Sequence, residues 1–243
     1  MQNRYTGDIG DFAKLGLLRA LRSAGLTIGV NWYLVPDESH NDDGRYTKYP
    51  TLRKCDEELW DQLNAIVDSD QRKVSKLETA SILEAGFYSQ TLDFSQKNKS
   101  ERNAIRNNWH ASALDHLKNL DVVFVDPDNG LLVPSALGSA KENKFVTTNE
   151  LAAYYQQRST VIYYQHKARR PNTFYTDQHL TLLRRPEFQA ATGFGLIFNK
   201  TSKRYFFFLV RPEHQDLIRK TLHLFMASPW GECFELNTFN QFV

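Results

Sequence analysis

The stretch Asp126-Pro127-Asp128-Asn129-Gly130 places two carboxylates, an amide and a glycine directly behind four consecutive apolar residues, Val122 to Val125. A carboxylate fixed at a strand end can polarise or deprotonate an amine, and neighbouring carboxylates can hold a hard divalent cation. A second group follows Val35, where Asp37, Glu38, His40, Asn41, Asp42 and Asp43 lead into Gly44-Arg45-Tyr46. That polar loop has the composition of a site loop, with a glycine that permits a tight turn. A third is His166, which closes a β-branched and aromatic run and is followed by Lys167, Arg169 and Arg170. A histidine beside cations can hold a phosphate or give a proton to a leaving oxygen. Asp11 and Lys14, three residues apart near the start, share one side of a helix.

The elements that must position these groups are legible from periodicity. Phe12, Leu15, Leu18 and Leu21 make an apolar stripe that predicts a helix over about 12–23, capped by Asp8 or Asp11 and stopped at Gly25. Ile28 to Val35 reads as the first central strand. Leu59, Leu63 and Ile66 with Trp60 mark an amphipathic helix, while residues 81–88 leave strand and helix end both open. Ile105, Trp109, Ala113 and Leu117 recur every four residues, which predicts a helix of about 18 residues leading into Val122–Val125. A short helix capped by Thr148 or Asn149 precedes a second buried strand, 159–166. Two strands over about 193–199 and 204–211 form an antiparallel hairpin, and a final helix spans about 217–227. Alternation of helices with buried strands predicts an α/β fold, with a mostly parallel central sheet, helices on both faces and a C-terminal antiparallel hairpin. The whole chain, 1–243, reads as one α/β domain with a helical insertion at about 50–100. In such sheets ligands bind at the carboxyl ends of the strands, where Asp126 and His166 fall.

Composition sets further bounds. Lys and Arg number 30 against 28 Asp and Glu, so the net charge of +2 does not announce a polyanionic partner. The distribution is uneven: 37–70 holds ten acidic and four basic residues, and 167–204 holds eight basic and two acidic. Cys55 and Cys233 have no zinc-ligand spacing, which argues against a zinc knuckle and for a reduced compartment. The first residues lack the apolar core of a signal peptide and no run approaches a membrane span, so a cytoplasmic protein without membrane attachment is expected.

Three motifs together resemble the class I (Rossmann-like) methyltransferases, nearest the large-subunit ribosomal RNA adenine methyltransferases. That family opens with Asn-His-Ala-Asp-x-x-Lys, to which Gly10-Asp11-Phe12-Ala13-Lys14 is similar, with Asp11 and Lys14 on matching positions. Its first strand ends in Gly-Ala-Gly-Arg-Tyr, here Asp42-Asp43-Gly44-Arg45-Tyr46, and its catalytic turn is Asp-Pro-Pro-Tyr, here Asp126-Pro127-Asp128-Asn129. The departures are Asp128 for the second proline, Asn129 for the stacking aromatic, and two aspartates for two small residues. The resemblance implies methyl transfer from S-adenosylmethionine to a base amine of RNA or DNA. It makes Asp126, Asp128, Lys14 and His166 the catalytic candidates. Asp37, His40, Asp43 and Gly44 would line the cofactor, and Asp11, Asn129, Arg169 and Arg170 would meet substrate or phosphate. The added acids also support a different expectation, a metal-dependent nuclease or phosphoesterase holding Mg or Mn on Asp37, Asp126 and Asp128. A third is a catalytically inactive relative that binds nucleic acid or protein.

Overall fold

Alternating helices and buried strands are what the computed structural model contains; it describes residues 1–38 and 44–238. In chain order the elements are α1 (Ile9–Ser23), β1 (Ile28–Asn31), α2 (Glu57–Asp68), α3 (Val74–Thr79), β2 (Gly86–Tyr88), α4 (Lys99–His116), β3 (Val122–Val125) and the short β4 (Gly130–Leu131). They continue with β5 (Phe145–Val146), α5 (Thr148–Gln156), β6 (Thr160–His166), α6 (Asn172–Leu183), β7 (Thr192–Phe198), β8 (Arg204–Val210), α7 (Gln215–Ala227) and β9 (Phe234–Thr238).

Seven strands form one sheet in the order β2-β1-β3-β6-β8-β7-β9, and β4 pairs with β5 separately. β2, β1, β3 and β6 are parallel neighbours, and β8 lies antiparallel between β6 and β7. β7 therefore runs with the parallel strands, and five of the seven share one direction. The hairpin expected near the C-terminus is β7–β8, with Phe198 opposite Arg204 at its tip.

Strand alternation splits the core into two layers. Phe124, Ile162, Phe206 and Phe208 face α1, α2, α3 and α7, packing with Phe12, Leu18, Leu63, Ile218 and Phe225. Val123, Val125, Val161, Tyr163 and Phe207 face α4, α5 and α6, packing with Trp109, Tyr154 and Tyr175. The continuous apolar runs of β3 and β6 thus reflect a sheet covered on both faces. Among the described residues no helix is long and apolar enough to cross a membrane.

Several boundaries differ from the sequence reading, each for a local reason. β1 stops at Asn31 instead of Val35. The Asn31 side chain accepts the Tyr33 N–H at 3.0 Å and donates to the Tyr154 hydroxyl at 2.8 Å, and Tyr33 turns the chain at φ 44°. α1 begins at Ile9 because Asp8 caps it, accepting from Gly10 and Asp11, and it ends before Gly25 at φ 99°. α5 is capped one residue earlier than expected, by Thr147 in a reciprocal box with Glu150. Residues 81–88 end in β2, so the stretch at about 50–100 adds an edge strand as well as helices. β9 was not anticipated; it pairs with β7 at the opposite edge.

Between α4 and α5 lies a buried bidentate pair, Arg106 Nε and Nη2 donating to both Glu150 oxygens at 2.7 Å. The same guanidinium donates to the Glu142 and Phe145 carbonyls, which joins the helices to the β4–β5 region. Replacing Arg106 leaves a buried carboxylate without its cation. Arg106→Ala is expected to lower the urea-derived unfolding free energy by about 3–5 kcal/mol, and Arg106→Lys to recover only part of it.

Candidate functional site

Parallel strands end on one side of the sheet, and there Asn31, Val125 and His166 close β1, β3 and β6. Because β8 runs the other way it begins at that end, setting Arg204 opposite His166. The first turns of α1 lie over the same place. Lys14 is buried with Nζ 2.5 Å from Asp126 Oδ2 and 3.0 Å from Asp11 Oδ1. The rings of Trp32 and Tyr164 flank the ammonium at 5.8 and 5.6 Å. Burial alone would lower the Lys14 pKa, but the charges of Asp126 and Asp11 outweigh it and hold the ammonium above its ordinary value. Asp11 is fully buried, and that burial pushes its carboxyl up to about 6 against the pull of Lys14, with Asp8 and Asp126 adding repulsion. A lysine on the polar side of α1 is thus an interior residue, its charge shared between two elements.

Asp128 answers a second cation. The Met1 α-ammonium lies 2.7 Å from Asp128 Oδ1 and donates to the Tyr33 and Asp126 carbonyls at 3.1 and 2.9 Å. Gln2 Nε2 donates to Asp128 Oδ2 at 2.6 Å, and Lys144 Nζ stands 3.8 Å from it while pairing with Glu38 at 2.6 Å. Burial works to raise the Asp128 carboxyl, but the ammonium beside it holds it below the usual range. The turn geometry depends on Gly130, at φ 107°, where a Cβ would sit 2.1 Å from Gln165 Oε1. That amide fixes the turn by donating to the Asn129 carbonyl at 2.7 Å and accepting the Leu131 N–H at 2.9 Å.

Beside these pairs opens a cavity of about 390 Å³, walled by Asp8, Gly10 and Lys14 from α1, by Gly44-Arg45-Tyr46, and by Asp126 to Asn129. Tyr164, His166, Ser202 and Arg204 close the far side. Asp126 Oδ2 is taken by Lys14, whereas no hydrogen bond reaches Oδ1 among the described residues. Tyr46 leaves half of its surface exposed at the wall. The Tyr164 hydroxyl, pushed up to about 12 by burial, is 3.2 Å from His166 Nδ1. At the rim, Lys167 N–H donates to the Lys203 carbonyl at 3.3 Å, which sets Lys167, Arg169 and Arg170 next to the hairpin tip carrying Lys200 and Lys203. Among the described residues no carboxylate forms an ion pair with these five.

Of the residues singled out in the sequence, the structure joins Lys14, Gly44, Asp126, Asp128, Asn129 and His166 around the cavity, with Asp11 buried beside Lys14. Arg169 and Arg170 are exposed beyond it. Asp37 is not part of it: the residue is exposed, and its carboxylate accepts the Arg4 N–H at 3.2 Å. The early stop of β1 explains this, since the chain leaves the sheet end before reaching Asp37. His40 and Asp43 lie outside the described residues. The expected metal set of Asp37, Asp126 and Asp128 is not assembled, because Asp126 and Asp128 each face an ammonium and Asp37 lies apart. Among the described residues no three or more His, Cys, Asp or Glu are grouped to hold a metal ion. Asp8, Tyr164 and Arg204 were missed as site residues. The hairpin register carried a signal for Arg204, which opens the strand that must pair with the end of β6.

No protein-family model matches the chain, and no curated protein matches it.

Asp11 holds its proton to higher pH folded than unfolded, so its stabilising contribution is full below its ordinary value of 3.8 and is lost as pH rises through about 6. The unfolding free energy of the native chain, measured relative to Asp11→Asn by urea denaturation, should therefore fall as pH rises across that window. An unchanged difference would contradict the shift.

Proposed function

We propose that the protein is a nucleic-acid-directed methyltransferase that alkylates a base amine, with Asp126 as the group that receives the amine. The observation carrying this reading is the state of Asp126 at the wall of a ligand-sized cavity: one oxygen is clamped by Lys14, and the other accepts from no donor among the described residues. An exocyclic amine conjugated to a purine is a poor nucleophile. A carboxylate oxygen accepting its N–H orients the lone pair, and the same oxygen takes the proton released as the new bond forms. Lys14 keeps that carboxylate in one rotamer and balances its charge without reaching for substrate.

The strand plan supports the reading. A strand antiparallel to its neighbours and inserted before the last parallel strand is the closing arrangement of class I methyltransferases, and β8 occupies that position here. The cavity also suits S-adenosylmethionine. Its volume falls in the range of roughly 300–1,000 Å³ common to small-molecule sites, and its walls carry tyrosine rings and carboxylates together with Lys14, Arg45 and Arg204. Asp8, Gly44 and Arg45 would hold the cofactor, which when bound supplies an electrophilic methyl group. Asp128, already paired with an ammonium, shapes the turn instead of touching the cofactor. Tyr46 supplies the exposed ring that Asn129 lacks, on a scale of about 1–3 kcal/mol per stacked base. Lys167 and Lys203, joined through their backbones beside His166 and Ser202 of the cavity wall, would meet phosphates leading to it.

Calorimetry with S-adenosylmethionine should give saturable binding in the range of roughly 1 μM–1 mM usual for enzyme substrates. No heat at millimolar ligand with a folded protein overturns the proposal. With labelled cofactor and RNA or DNA, Asp126→Asn should lower methyl transfer by about 100-fold or more while keeping cofactor affinity.

A further inference from the structure

Cys55 and Cys233 are 178 positions apart in sequence, yet their sulfurs lie 3.8 Å from each other. Cys55 follows the short helical turn Pro50–Cys55 at its last residue, and Cys233 immediately precedes β9. The approach is supported on both sides: Lys54 Nζ pairs with Glu232 Oε2 at 2.5 Å, and Cys55 Sγ lies 3.5 Å from the Pro229 carbonyl. The two chain segments therefore run together, and the sulfurs meet as a consequence. Both thiols are free, Cys55 partly exposed and Cys233 buried behind it.

We propose that Cys55 and Cys233 form a peroxide-oxidisable dithiol, a modification site separate from the cavity described above. The substrate class is a small hydroperoxide. The contact between the two sulfurs lowers the Cys233 thiol and raises that of Cys55, which makes Cys233 the attacking sulfur. Its thiolate attacks one peroxide oxygen; the S–O bond forms, the O–O bond breaks, and the departing hydroxide takes up a proton as water. The Cys55 sulfur then attacks the Cys233 sulfenic acid. The S–S bond forms, the S–O bond breaks, and the hydroxyl leaves as a second water with the Cys55 proton. Two thiols are oxidised and one peroxide is reduced, with no other reactant. The bond would tie the stretch running from Gly44-Arg45-Tyr46, a wall of the cavity, to the strand edge at β9.

The full-length chain, reduced and freed of thiols, would be treated with hydrogen peroxide and digested without reductant. The expected result is a peptide joining Cys55 to Cys233, an intact mass lower by two hydrogens, loss of both titratable thiols and their full return with dithiothreitol. Cys55→Ser, partly exposed and so tolerated by the fold, should give no cross-link and instead accumulate oxygen adducts on Cys233. Retention of both thiols in the wild type, or their loss to oxygen adducts without a cross-linked peptide, overturns the proposal. Circular dichroism of both proteins before treatment excludes misfolding as the cause of either outcome.

Discussion

One ammonium group held between buried carboxylates from two elements sets the arrangement at the strand ends. Lys14 comes from α1, Asp11 lies one turn before it, and Asp126 follows β3. Charges removed from water are tolerated only when paired and hydrogen-bonded, so α1 has one acceptable rotation over the sheet. That rotation brings Asp8 and Gly10 to the cavity, and it leaves Asp126 one oxygen to present there. The Met1 ammonium does the same for Asp128, holding the turn that follows β3. Such pairs contribute more to a unique geometry than to net stability, because desolvation offsets much of their attraction.

The same bookkeeping of charge explains why a net value of +2 conveys little. Within the site the buried acids meet cations locally, Asp126 and Asp11 sharing Lys14 and Asp128 facing the Met1 ammonium. The cations of the β6 end and the hairpin tip have no such partners among the described residues.

Elements defined by their own sequence were readable, and relations between distant segments were not. β3, β6, the β7–β8 hairpin and α4 all announced themselves, since burial on two faces or one leaves a local pattern. β9 did not. Its Leu236 is exposed, and as a short edge strand it needs β7 to define it. Lys14 sat on the side of α1 that periodicity marks as polar, and only the approach of Asp126, 112 residues later, makes that side interior. Asp37 failed in the opposite direction, because a single Asn31 side chain ended β1 early and redirected the loop. The cysteine pair carried no signal, as its contact joins segments from opposite ends of the chain.

The placement of β8 between β6 and β7 also governs the growing chain. Through the synthesis of α6 and β7, the seven-residue β6 has β3 on one side and a bare hydrogen-bonding edge on the other. β7 cannot cover that edge, because its place is two positions away. Only when Val210 has emerged can the hairpin close upon itself and dock as a unit, and until then a long apolar strand stands open to other chains. The last quarter of the protein is thus the part that makes the first three quarters safe, and a ribosome halted before Arg204 would release a sheet with an adhesive centre.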